Sequence, residues 1–291
     1  MKLILDTDIG SDIDDAICLA YLLSEPTCEL LGVTTVSGEA VERAKIASVL
    51  CKAAGKDVPI YPGAVKPLLI PQKQPRAQQA AALSKWEHQQ AFPENDAVEF
   101  LRHTIRANPG EVTLLGIGPM TNIGLLFALD PEIPQLLKSL VMMVGVFTNK
   151  LAGVGPLEWN AICDPHALAI IYQSNVAVHR SVGLDVTCQV KMDAQEVHRR
   201  FQKGLLRPVL DFAEVWFSQV SRVTFHDPLA AVTLFDETVC DFERGTVEVE
   251  LTSQRALGMT YWTPDAANGA HEAALRVSPE RFFDRYFSTV S

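Results

Sequence analysis

The sequence predicts an α/β protein: a mostly parallel central sheet with helices on both faces, in a single large domain over residues 1–291. Three observations predict it. Short apolar or β-branched runs alternate with helical patterns from end to end, the pattern of parallel strands joined by crossover helices. A chain of 291 residues sits near the upper size of one hydrophobic core, and no internal repeat divides it. Its 48% hydrophobic and 21% charged residues are ordinary for a globular protein.

In chain order, residues 3–5 (Leu-Ile-Leu) are too short and apolar for anything but a buried strand, and 16–23 reads as a helix. Residues 29–36 are strand-like, 39–54 a helix closed by Gly55, and 58–61 a short strand. A helix is expected over 95–108 with Asn95 as its cap. A buried strand at 112–116 leads through a Gly-Pro turn into a helix at 121–129. Then come a strand at 140–144, a helix at 165–172 started by Asp164 and Pro165, and a strand at 177–180. Short strand patterns at 246–251 and 258–262 and a helix at 279–287 close the chain. Two stretches break this rhythm: 62–93, with five prolines and a glutamine cluster, and the glycine-bearing 145–157. Long loops in compact domains usually bind or cover ligands, so both are expected near the active site.

The net charge of −10 argues against nucleic-acid or anionic-membrane partners, which need basic patches. No apolar run reaches the roughly 18 residues of a membrane span, and Asp6 interrupts any secretory pattern at the N-terminus. The six cysteines include no C-x-x-C pair or zinc spacing, and Cys18, Cys51 and Cys163 read as reduced packing residues, so a cytoplasmic location is the default. The expected partner is a small molecule, with a homo-oligomer left open.

Four segments carry chemistry. The first holds five aspartates, Asp6, Asp8, Asp12, Asp14 and Asp15, between the first strand and the first helix. So many carboxylates repel unless a cation sits among them or some are neutral. Open α/β sheets bind ligands at the carboxyl ends of their strands, so a hard divalent cation in a catalytic cleft is expected. An EF-hand is excluded, because its fifth and twelfth positions counted from Asp6 are Gly10 and Ile17. Helix capping by Asp12 would account for one acid, not five. The second segment is His226-Asp227-Pro228, which read alone is a turn with a helix start. Beside an aspartate cluster short of oxygen ligands, it offers a further carboxylate. The third is Glu158-Trp159-Asn160 at the end of the glycine loop, equally readable as a solvated loop. The fourth is Gly116-Ile-Gly-Pro-Met-Thr-Asn122, read alone as a plain strand-to-helix turn.

Taken in this order, with residues 34–38 (Thr-Thr-Val-Ser-Gly) and 183–187 (Gly-Leu-Asp-Val-Thr), the segments resemble the calcium-dependent nucleoside N-ribohydrolases, the inosine-uridine-preferring nucleoside hydrolase family, from residue 3 to about 235. The resemblance implies hydrolysis of ribonucleosides to base and ribose. It implies a Ca²⁺ held by Asp8, Asp15, Asp227 and the main-chain carbonyl of Ile117, with Asp8 activating a calcium-held water. Asp14, Glu158 and Asn160 would hold sugar hydroxyls, with Trp159 beside them, and Asp6 would support the ligands from behind. His226 would protonate or contact the leaving base, or orient Asp227. The chain departs from the common pattern at Ile9, where many members carry Pro, and by two extra residues before Asp14-Asp15. Glu39 stands where many carry a sugar-contacting Asn, and Asn149 lies nearest the place of another. Two other readings remain at this point: a Mg²⁺-dependent phosphotransferase with Asp6 as nucleophile, and a non-catalytic Ca²⁺-dependent ribosyl-binding protein.

Overall fold

The computed structural model describes residues 1–93 and 97–290; Asn95, the expected helix cap, lies outside them. The chain runs β1 (Lys2–Thr7), α1 (Asp14–Ser24), β2 (Glu29–Thr35), α2 (Ala40–Ala53), β3 (Ile60–Pro62), a 3₁₀ segment (Gln78–Lys85) and α3 (Ala97–Ala107). It continues with β4 (Val112–Gly116), α4 (Thr121–Leu129), α5 (Ile133–Leu136), β5 (Ser139–Met142), α6 (Trp159–Cys163), α7 (Pro165–Tyr172) and β6 (His179–Ser181). After α8 (Leu184–Thr187) come β7 (Lys191–Asp193), α9 (Ala194–Arg200), α10 (Leu206–Phe217), β8 (Arg222–Thr224) and α11 (His226–Thr233). The last elements are β9 (Cys240–Val249), β10 (Thr260–Pro264), β11 (His271–Val277) and α12 (Pro279–Val290).

Nine strands form one sheet in the order β3-β2-β1-β4-β5-β6-β11-β9-β10. From β3 to β11 every neighbouring pair is parallel, and β9 alone runs in the opposite sense, antiparallel to both β11 and β10. The mostly parallel sheet expected from the sequence is therefore present, with helices on both faces.

Strand alternation divides the core. Leu3 and Leu5 of β1 face one apolar cluster with α1, α2, α10 and α11, while Ile4 faces the other with α3, α4 and α7. Residues 14–23 of α1 are all buried. That explains its apolar circumference, since a helix covered on every side needs no polar face. α12 closes over α1: the Tyr286 hydroxyl donates to the Ile17 carbonyl (3.0 Å), and Tyr286 stacks on Tyr21.

Between β6, β11 and α7 lies a buried aromatic group, Tyr172, His179 and His271. His271 Nδ1 accepts from the Val247 N–H (3.1 Å), so its Nε2 is the donor to the Tyr172 carbonyl (2.9 Å) and the ring is neutral. Burial, with His271 close by, lowers His179 from the usual 6.5 to about 3. An unfolded chain takes up that proton near 6.5 and the folded one only near 3. The contribution of His179 is therefore present above pH 6.5 and lost as the pH falls toward 3. A His179→Phe variant is expected to show a shallower loss of unfolding free energy between pH 7 and pH 5 than the parent. Denaturant melts at the two pH values measure it, and identical slopes would assign the acid sensitivity elsewhere.

Candidate active site

The crossover from β1 leads to β2 on one side of β1, and that from β4 leads to β5 on the other. Doubly wound sheets place ligand crevices at such a reversal, outside the carboxyl ends of the strands. Here the loop after β1 carries the aspartates, and the loop after β4 carries Ile117 and Gly118. A Cβ on Gly118 would lie 2.8 Å from both the backbone N and Oδ1 of Asp8, so only glycine lets the two loops approach this closely.

Asp14 and Asp15 form the first turn of α1, at the helix end that favours negative charge, and Asp227 enters from the first turn of α11. Their carboxylate oxygens lie within 4.8 Å of one another, all buried. The Asp227 N–H donates to Asp14 Oδ2 (3.2 Å), and the Thr7 hydroxyl donates to Asp15 Oδ1 (2.5 Å). Burial, then the neighbouring carboxylates, push all three well above the ordinary carboxylate range. No Lys or Arg among the described residues forms an ion pair with them. The buried Arg43 offsets part of the charge on Asp15 from a distance, but no cation touches the three. Three hard oxygen donors this close are a donor set for a divalent cation.

Asp8 is not one of those three acids, but its charge is the largest acting on Asp15 and it also bears on Asp227. It lines the same cavity, and its Oδ2 accepts from the Gln74 amide. The Ile117 carbonyl accepts from Asn160 Nδ2 (2.9 Å), which leaves its second lone pair. The cavity measures about 720 Å³, the size of small-molecule sites. Asp8, Asp14, Asp15, Glu158, Asn160 and Asp227 supply its polar wall, and Leu184, Val215, Trp216 and the half-exposed Trp159 an apolar one.

Glu158 caps α6, accepting from the N–H groups of Asn160 (2.7 Å), Ala161 (2.9 Å) and Gly145 (3.1 Å), and burial still pushes it up to about 7. Asn160 Nδ2 also reaches the Met143 carbonyl (3.1 Å). His226 lines the cavity with Nδ1 on the Thr187 hydroxyl (2.7 Å), and burial lowers it to about 4. The structure does not bring Glu39 or Asn149 to the cavity. The Glu39 carboxylate is taken by Arg76 (2.7 Å) and the Ala77 N–H (2.9 Å). Asn149 is exposed, because Asp185 ties the preceding Phe147 and Thr148 N–H groups (2.7 and 2.8 Å) back to α8. Asp6 is fully buried behind the site, taking hydrogen bonds from Thr34 and Asn122 on Oδ1.

Sequence reasoning missed Thr7, Arg43, Gln74 and Trp216. Arg43 is the only Lys or Arg buried among the described residues. Its guanidinium donates to the carbonyls of Ser37 (2.7 Å), Asp8, Ile9 (3.2 Å) and Arg76 (3.1 Å). A signal existed: Arg43 falls on the apolar stripe Ala40, Ala44 and Ala47 of α2.

Residues 3–284 match the family described as inosine-uridine preferring nucleoside hydrolase. The chain belongs to that family. This nucleoside hydrolase is 31% identical to uridine nucleosidase 1 of Arabidopsis thaliana over 86% of its own length and 78% of the relative's. It is 28% identical to the inosine-uridine preferring nucleoside hydrolase of Crithidia fasciculata over 97% of its own length and 95% of the relative's. Its fold superimposes on a purine-preferring ribonucleoside hydrolase from Gardnerella vaginalis with a TM-score of 0.86 at 22% identity, covering 100% and 98% of the two chains. The nucleoside hydrolase splits the N-glycosidic bond of ribonucleosides into base and ribose, as a metal-dependent enzyme whose acid trio suits a cation. The two rival readings fall here. Asp6 is sealed from the cavity and cannot serve as a phosphotransferase nucleophile, and a purely ribosyl-binding role gives way to a hydrolase. No helix among the described residues is long and apolar enough to cross a membrane.

Proposed function

We propose that this hydrolase acts on ribonucleosides with Ca²⁺ as its cation and Asp8 as the base that takes a proton from the attacking water. The observation that carries the reading is the buried group Asp14, Asp15 and Asp227, free of any direct ion pair and drawn from α1 and α11 into the cavity that Asp8 lines. Asp15, Asp227, Asp8 and the Ile117 carbonyl would hold the ion, and Asp14 lies close enough to share in it. When bound, the ion supplies positive charge that anchors a vicinal diol and acidifies a water.

The chain's own groups do the rest. One Asp8 oxygen is fixed by Gln74, which leaves the other to receive the proton. The amide protons of Asn160 are engaged by two carbonyls, so its Oδ1 accepts from a sugar hydroxyl. Glu158 and Asp14 accept from others. As the base departs, positive charge grows on the sugar, and surrounding carboxylates stabilise an oxocarbenium-like transition state. The apolar wall of Trp159 and Trp216 suits a planar base. His226 Nδ1 contacts Thr187, so Nε2 is the nitrogen left for the leaving base.

A reducing-sugar assay across inosine, uridine, cytidine, adenosine and their 2′-deoxy analogues tests this. Ribose release is expected to stop with a chelator and return with Ca²⁺. Deoxy substrates should be slower by on the order of 10²-fold or more, because a buried polar group loses its partner. Equal rates on both sugars would remove the proposed diol contact. All six cysteines are free thiols, which supports a reducing, cytoplasmic setting.

A further inference from the structure

Gln74 lies in the segment between β3 and the 3₁₀ turn, yet its side chain is buried and fully hydrogen-bonded inside the active-site cavity. Its Nε2 donates to Asp8 Oδ2 and to the Ser11 hydroxyl (3.0 Å), and its Oε1 accepts from the Trp159 indole N–H. An indole nitrogen only donates. The atom facing Trp159 must therefore be the amide oxygen, and both amide protons must face Asp8 and Ser11. Trp159 thus decides which way the amide points, and the amide decides which Asp8 oxygen is taken.

The backbone at Gln74 is held as firmly. Its N–H donates to Gln72 Oε1 (2.8 Å), and its carbonyl accepts from the Ser37 hydroxyl (3.4 Å). The same carbonyl would lie 2.4 Å from a Cβ on Gly38, so the segment presses directly on the turn after β2. Arg43 joins the Arg76 carbonyl to the carbonyls of Asp8 and Ile9. The loop after β1 and the segment around Gln74 are therefore one fixed unit.

We propose that Gln74 is a positioning residue for the hydrolytic reaction: oriented by Trp159, it locks Asp8 Oδ2 so that Asp8 Oδ1 alone faces the ion and the attacking water. This rests on the proposed role of Asp8. Groups that orient the ligands of a metal or a catalytic base typically change affinity or activity by about 10–100-fold when removed. A plain surface strap would not: its loss would lower stability and leave both untouched.

The test uses the full chain. In Gln74→Leu, kcat on inosine and uridine is expected to fall about 10–100-fold with KM changed less than about threefold. Calorimetric titration of metal-free protein with Ca²⁺ should show affinity weakened about tenfold or more. Gln74→Glu keeps the length and the acceptor for Trp159 but removes the donors, so it should lose as much, and it serves if the leucine variant fails to fold. Trp159→Phe should weaken Ca²⁺ binding when Gln74 is present and have no further effect in Gln74→Leu, because both act through one link. Parental kcat and Ca²⁺ affinity in the Gln74 variants, a rise in kcat, or additive effects of the two substitutions on Ca²⁺ affinity would overturn the proposal. Asp8→Asn separates the layers. If it loses turnover while the Gln74 variants do not, only the role of Gln74 fails; if it keeps turnover and Ca²⁺ affinity, the role of Asp8 fails and takes this inference with it.

Discussion

Asp227→Asn is expected to abolish nucleoside hydrolysis, by on the order of 10³-fold or more in kcat/KM, while leaving the metal-free protein as stable as the parent or more so. The two effects share one cause. Asp14, Asp15 and Asp227 hold carboxylate oxygens within 4.8 Å of one another in a buried site, and Asp227 takes part in two of the three pairs. At an effective dielectric near 20, two full charges at that separation repel by about 3 kcal/mol. Part of this is relieved by proton uptake, and all three groups are accordingly pushed above the ordinary range. Asparagine keeps the shape and the backbone N–H that donates to Asp14 Oδ2, but it brings no charge, so the repulsion falls. It also removes one of the charged oxygens proposed to hold the cation. Thermal melts with and without Ca²⁺ read both halves: the parent should gain stability on adding the ion, by mass action, and the variant should not. A variant that melts well below the metal-free parent, or still responds to micromolar Ca²⁺, would mean that the trio is held together by something other than a cation.

Much of this architecture was legible because the physics behind it is local. β4, α4 and α7 fall within the stretches read from the sequence, since an apolar run, a Gly-Pro turn and an Asp-Pro start each act within a few residues. β11 was missed because Ala273 and Ala274 at its buried centre have low strand propensity and gain their place from pairing with β9 and β6. α10 was missed although Leu206, Val209, Leu210 and Ala213 follow a helical stripe, and with it went Val215 and Trp216 on the cavity wall. The acids were legible by density alone. The close approach of Asp14 to Asp15 and Asp227 was not: it depends on where the longer turn between Gly10 and Asp14 sends each side chain. That turn is set by Arg43 on the Asp8 and Ile9 carbonyls and by Gln79 on the Ser11 and Asp12 carbonyls (3.1 and 2.8 Å), contacts spanning tens of residues. Glu39 shows the converse, a residue read as touching sugar that instead fastens the loop carrying Gln74.

Gly118→Ala should be the next most damaging change, with activity down by on the order of 10-fold or more while the fold survives. The added methyl would meet the Asp8 backbone N and Oδ1 at 2.8 Å and Val36 Cγ1 at 2.9 Å. The valine methyl can give way, but the backbone N of Asp8 cannot, because Arg43 fixes the carbonyl of the same residue from the other side. Relief must then come from moving the loop after β4, which carries the Ile117 carbonyl, or the loop after β1, which carries Asp8. Either shift, of several tenths of an ångström, separates the groups proposed to act together, and reacting geometries misplaced by about 1 Å lose roughly 10²-fold. The strands behind those loops remain paired from Lys2–Val112 to Asp6–Gly116, so the sheet itself is not opened. Steady-state kinetics beside circular dichroism and a thermal melt check the prediction. Alanine at Gly155, with nothing within 4 Å of its Cβ position, is the matched control and should leave kcat unchanged. Parental activity in Gly118→Ala would mean that the two loops are free to slide apart, and that the register of Asp8 against Ile117 is not what the reaction depends on.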